Sequence, residues 1–81
     1  MELKDTVEMM LSEDYKERFK AEYYQLKIRL DKLNDMLSKY KNGTLDFNPT
    51  CSYEDLYEQF IYMEHYIVSL EMRALSEGIR L

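Results

Sequence analysis

The stretch YKERFKAEYYQLKIRLDKLNDMLSKY, residues 15–40, decides the fold. Tyr15, Phe19, Tyr23, Leu26, Leu30, Leu33, Leu37 and Tyr40 recur at alternating steps of four and three. That period draws one apolar stripe along an α-helix and suits antiparallel, coiled-coil-like packing. Ser12, followed by Glu13 and Asp14, reads as an N-cap with acids where the unpaired amides and the positive dipole end want them, so the helix is expected to start near residue 13. Asn42-Gly43, just past Lys39 and Lys41, supplies the positive φ that stops it. At about 1.5 Å per residue such a helix is roughly 40 Å long, and its stripe needs an equally long partner.

Working outward, the partner lies in the second half. Leu56, Phe60, Met63, Ile67, Leu70 and Ala74 repeat the four-three spacing, behind Ser52 and Asp55, a capping box for a helix over 53–77. The connector from Asn42 to Cys51 contains Gly43 and Pro49 and must reverse the chain. Leu3, Val7, Met10 and Leu11 predict a short helix over 2–11 that folds back on the pair. No alternating strand pattern and no solenoid repeat interrupts this reading. The fold class is therefore all-α, a short N-terminal helix plus two long antiparallel helices forming a helical hairpin, in one domain over 1–81.

Composition narrows the function. With 81 residues the chain has one core and little room for a deep cleft. No apolar run approaches the roughly 18 residues of a membrane span, and the first eleven residues, with Glu2, Asp5 and Glu8, do not read as a secretory signal, so no membrane association and a cytoplasmic location are expected. The net charge of -5 is uneven: segments 1–15, 16–43 and 44–81 carry -4, +4 and -5. A basic segment between acidic ones suits a small anion or a solvated helix face, and disfavours duplex nucleic acid.

The second long helix carries more apolar surface than one seam covers. Tyr57, Ile61, Val68, Met72, Leu75 and Ile79 form a neighbouring strip. A leftover apolar face points to an interface, and a homo-oligomer of closed symmetry is the simplest assembly. The alternative is a monomeric three-helix bundle in which the N-terminal helix covers the strip.

Catalytic signals are absent from the sequence. Tyr62, rather than Glu, stands three residues before His65, and no second His exists for a metal site on a helix face. Cys51 has no partner for a disulfide, and a dyad with His65 would join a connector to a point several turns into a helix. Gly43 belongs to no phosphate-binding glycine loop. No enzyme, cofactor or metal is expected. Tyr15, Lys16, Arg18, Lys20, Tyr23 and Tyr24 do concentrate aromatic planes and cations within three turns, a composition that could stack on bases and neutralise phosphates. Tyr15, Phe19 and Tyr23 also lie on the core stripe, where neighbouring cations would only snorkel to water.

Glu17-Arg18, Glu22, Leu26, Arg29, Leu30 and Lys32-Leu33, followed by Leu56, Gln59, Met63, Tyr66, Leu70 and Arg73, resemble a family of small phage-encoded helical-hairpin proteins over about residues 14–75. The hairpin is similar to that of phage sponge proteins that counter CBASS and Thoeris immunity by sequestering cyclic nucleotide signals. The resemblance implies an oligomeric anti-defence protein in the bacterial host cytoplasm that holds a cyclic oligonucleotide or cyclic ADP-ribose type signal without catalysis. It implies phosphate contacts at Arg18, Arg29 and Arg73. With the aromatic and basic group this makes Tyr15, Arg18, Lys20, Tyr24, Arg29 and Arg73 the expected ligand residues. The competing expectation is an acidic helical inhibitor or adaptor that docks on a basic host protein.

Overall fold

The computed structural model describes residues 1–81. A 3-10 turn, Leu3–Thr6, runs into a one-turn helix α1, Val7–Met10. Two long helices follow, α2 at Tyr15–Asn42 and α3 at Tyr53–Glu77, and there is no strand. The predicted helical hairpin is present, and α2 and α3 pack against each other along their stripes.

Helix α2 starts two residues later than the sequence suggests. Asp14, not Ser12, is the N-cap: its side chain accepts from the Lys16 amide at 3.0 Å, while the Ser12 hydroxyl accepts from the Asp14 amide at 3.1 Å. A carboxylate adds charge to the cap, which favours Asp14 at the positive end of the helix dipole. At the far end Gly43 adopts φ 71°, and the Thr44 amide donates back to the Lys39 carbonyl at 2.9 Å, closing the last turn. Ser52 caps α3 by accepting from the Asp55 amide at 3.1 Å.

The core gathers Phe19, Leu26 and Leu30 of α2 with Ile67, Leu70 and Ala74 of α3, and Tyr23, Phe60 and Met63 pack against it. Leu33, expected in the seam, is only half-buried, because the core lies toward the N-terminal end of α2. Ile79, expected on the free strip, is instead buried in the core. The reason is local: α3 ends at Glu77, Gly78 takes φ 66°, and the Ile79 amide bonds the Ala74 carbonyl at 2.8 Å. This is the Schellman arrangement, and it turns the side chain past the glycine back onto the helix it terminates. Near the connector, Tyr40 meets Tyr53 edge-on, and Tyr53 stacks on Tyr57.

The N-terminal segment packs on α2 alone and makes no contact with α3. Thr6, fully buried, donates to the Leu3 carbonyl at 2.7 Å and accepts from Gln25 Nε2 at 2.9 Å. Ala21, one turn before Gln25 on the same side of α2, is buried as well. The three-helix bundle in which this segment covers the strip of α3 is therefore not formed. The molecule is a slab of 43 × 24 × 16 Å, with a radius of gyration of 14.9 Å where a globule of this length has about 12 Å.

Candidate functional site

Helix geometry divides the expected ligand residues. Positions two apart point roughly 200° from each other, so Arg18 and Lys20 leave α2 on opposite flanks. Arg29, about three turns after Arg18, returns to the Arg18 side. Lys20 and Tyr24 lie on the other flank, where Lys20 Nζ meets Glu17 Oε1 at 3.4 Å and Tyr24 packs edge-on against Tyr23, with centroids 5.3 Å apart. One small ligand cannot touch all six.

The Arg18 flank is the more complete. Arg73 comes from the last turns of α3 and lays its guanidinium over the Phe19 ring of α2, 4.8 Å from the centroid. Its Nε donates to Glu77 Oε2 at 2.9 Å. The hydrogen bond to Glu77 raises its pKa above the ordinary arginine value, against a lowering by desolvation, and the charges of Glu77, Glu22 and Tyr15 add to the rise. Tyr15 stands exposed at the start of α2. Arg18 Nη1 donates to the Ser12 carbonyl at 2.8 Å, which ties it to the segment before the helix. Neither Arg18 nor Arg29 has a carboxylate within ion-pair distance, in contrast to Lys20, Lys27, Lys39 and Arg73. This flank thus presents an aromatic ring and three guanidinium groups, two of them without an acid to neutralise them.

Two tyrosine–carboxylate bonds, which the sequence reading did not identify, cross the hairpin. The Tyr66 hydroxyl donates to the Glu22 carboxylate on the Arg18 flank, and Tyr23 donates to Glu71 Oε2 at 3.0 Å on the other. Burial first, then the Glu71 bond and charge, push the Tyr23 hydroxyl up to about 12. The available signal was charge pairing across the seam: Glu22 and Glu71 each sit beside a stripe residue, within reach of a tyrosine on the facing helix.

The outer face of α3 is bare. Beside Arg73 lies an open depression of about 570 Å³, lined by His65, Val68, Ser69, Met72, Ser76 and Glu77, within the volume range of small-molecule sites but unroofed. A second, of about 400 Å³, is bordered by Asp55, Glu58, Tyr62 and Tyr66. Tyr57, Val68, Met72 and Leu75 are all exposed, Leu75 at 86%. Cys51 is exposed in the connector, and His65 lies more than three turns into α3. No three His, Cys, Asp or Glu side chains converge as metal ligands, and no helix is long and apolar enough to cross a membrane.

Compared with known proteins, residues 13–76 match the family model described as Sequestin. The matched span takes in both long helices and every arginine of the Arg18 flank, and leaves out the N-terminal segment. No curated protein and no solved structure matches the chain.

Proposed function

The chain belongs to the Sequestin family, and from that premise we propose that it binds a small anionic signal and holds it out of circulation without transforming it. The ligand class we assign is a cyclic oligonucleotide or a cyclic ADP-ribose type molecule, and the role is anti-defence, in a phage-infected bacterial cytoplasm. The observation that carries the reading is the Arg18 flank. Two guanidinium groups without carboxylate partners, Arg18 and Arg29, stand about 16 Å apart along one helix. Arg73 lies across the seam from them on Phe19. Guanidinium forks match phosphate oxygens, and the exposed Tyr15 ring offers a surface for a base. Lys20 and Tyr24 fall outside this site.

A thermal-shift and calorimetry screen of cyclic di- and trinucleotides and cyclic ADP-ribose isomers tests it. A ligand at a hundred times its dissociation constant stabilises the fold by about 2.7 kcal/mol, a melting shift of roughly 10–20 °C for a domain of this size. The ligand should be recovered chemically intact after heat release. Arg18→Ala with Arg73→Ala should weaken binding at least tenfold, and Lys20→Ala should leave it unchanged. If no nucleotide shifts the melt while a basic host protein is captured from lysate, the acids of α3, Glu54, Asp55, Glu58 and Glu64, become the functional surface instead.

A further inference from the structure

The protein exposes more surface than its mass accounts for. A folded monomer of 9.9 kDa has an accessible area of about 5,200 Å², and this chain has 6032 Å². The excess of roughly 800 Å² equals one partner's share of a standard-sized interface. Its apolar part is concentrated on the outer face of α3. Ile61, Val68 and Leu75 follow one another at seven-residue spacing, with Tyr57 and Met72 beside them, and of these five only Ile61 is even half-buried. A strict seven-residue row is the seam that a second helix fills by knobs-into-holes packing.

We propose that this row is the docking surface for a second copy of the chain, α3 against α3, in an antiparallel two-fold pair centred on Val68. The connector-side half of α3 holds Glu54, Asp55, Glu58 and Glu64 and no Lys or Arg, whereas its far half balances Glu71 and Glu77 with Arg73, and Arg80 follows the helix. A parallel pair would lay the acidic half on its own copy. The antiparallel pair lays it beside the balanced half and sets the helix dipoles in opposition. It also places Ile61 opposite the partner's Leu75, and stacks Val68 on itself. The N-terminal segment stays clear of the interface, since it packs on α2 alone. The pairing rests on the bare face and its area, independently of what the arginine flank binds.

Sedimentation equilibrium at 1–100 µM, a range spanning roughly the affinities expected of such interfaces, should give a species of about 20 kDa. Val68→Glu should raise the dissociation constant by roughly a hundredfold or more, with the helical dichroism of the parent, while Tyr62→Glu, elsewhere on α3, leaves the pair intact. Orientation is read by cysteine cross-linking in a Cys51→Ser background: Ile61→Cys mixed with Leu75→Cys should form a disulfide-linked heterodimer, and neither variant alone should link. A 9.9 kDa monomer at the highest concentration overturns the proposal and leaves the face to a protein of different sequence. A dimer indifferent to Val68→Glu, or one in which Ile61→Cys links to itself, overturns it equally.

Discussion

Tyr23 shows how one side chain serves both core and boundary. Its ring packs against the core, and its hydroxyl reaches past the seam to Glu71. Removing the hydroxyl in Tyr23→Phe should cost about 1 kcal/mol at neutral pH, the net worth of one such bond. The bond also makes stability pH-dependent. The hydroxyl is raised from its ordinary 10.0 to about 12, so the folded state holds this proton more tightly than the unfolded chain. The stabilisation is complete below pH 10 and is lost as the pH rises toward 12. Urea unfolding of wild type and Tyr23→Phe across that window should show the two stabilities converging. A constant difference between them would remove the Glu71 bond as the cause. Thr6 plays a comparable part under α2, where its buried hydroxyl both donates to Leu3 and accepts from Gln25. The Gln25 contact was not foreseen, because the stripe reading follows one face of α2. A second row, Ala21, Gln25 and Ile28, was visible at steps of four and three, but with a glutamine in it the row reads as solvated.

At the scale of the elements, end chemistry decides where the chain turns. The Asp14 cap holds the first turn of α2, the end nearest the core, so Asp14→Ala should cost about 1 kcal/mol. Because Arg18 is tied to the Ser12 carbonyl just before that cap, the same substitution should also weaken ligand binding by fraying the arginine flank. Thermal melts and calorimetry on one sample separate the two effects, and wild-type stability would show that Ser12 alone suffices. The opposite end of the hairpin reads differently. Glycines at Gly43 and Gly78 end both long helices in the left-handed conformation that side chains disfavour. The periodicity of α3 carries on to Ile79, which is why that residue extends the exposed strip on paper. Gly78 breaks the helix one residue earlier and sends Ile79 into the core.

For the whole molecule, flatness matters most. Only 10 of 81 residues are buried, although apolar residues make up 46% of the chain, so much apolar surface faces outward. The N-terminal segment lies on one side of α2 and the bare face of α3 on the other side of the hairpin, so removing the first should not disturb the second. A chain lacking residues 1–11 should keep its helical dichroism, its self-association and its ligand, while its melting temperature falls by on the order of 10 °C as Ala21 and Gln25 lose their cover. Loss of the hairpin itself would mean that the segment is integral to the core.

The sequence by itself determined the two long helices, their antiparallel pairing and most of the seam, because period, caps and glycine stops are local signals that need no knowledge of what packs where. It also marked the free strip on α3, since a hairpin has one seam and the strip lay off it. Tertiary structure alone decided three things. The N-terminal helix chose α2 over α3, through Thr6 and Gln25, two polar residues that no apolar pattern pairs. Arg73 came to rest on Phe19 beside the Arg18 flank, while Lys20 and Tyr24 were carried to the other side. The core settled toward the Ala74 and Phe19 end, where Ile79 closes it. Each depends on which faces of two cylinders end up in contact, and that is set by the packing of whole side chains across elements rather than by spacing within one.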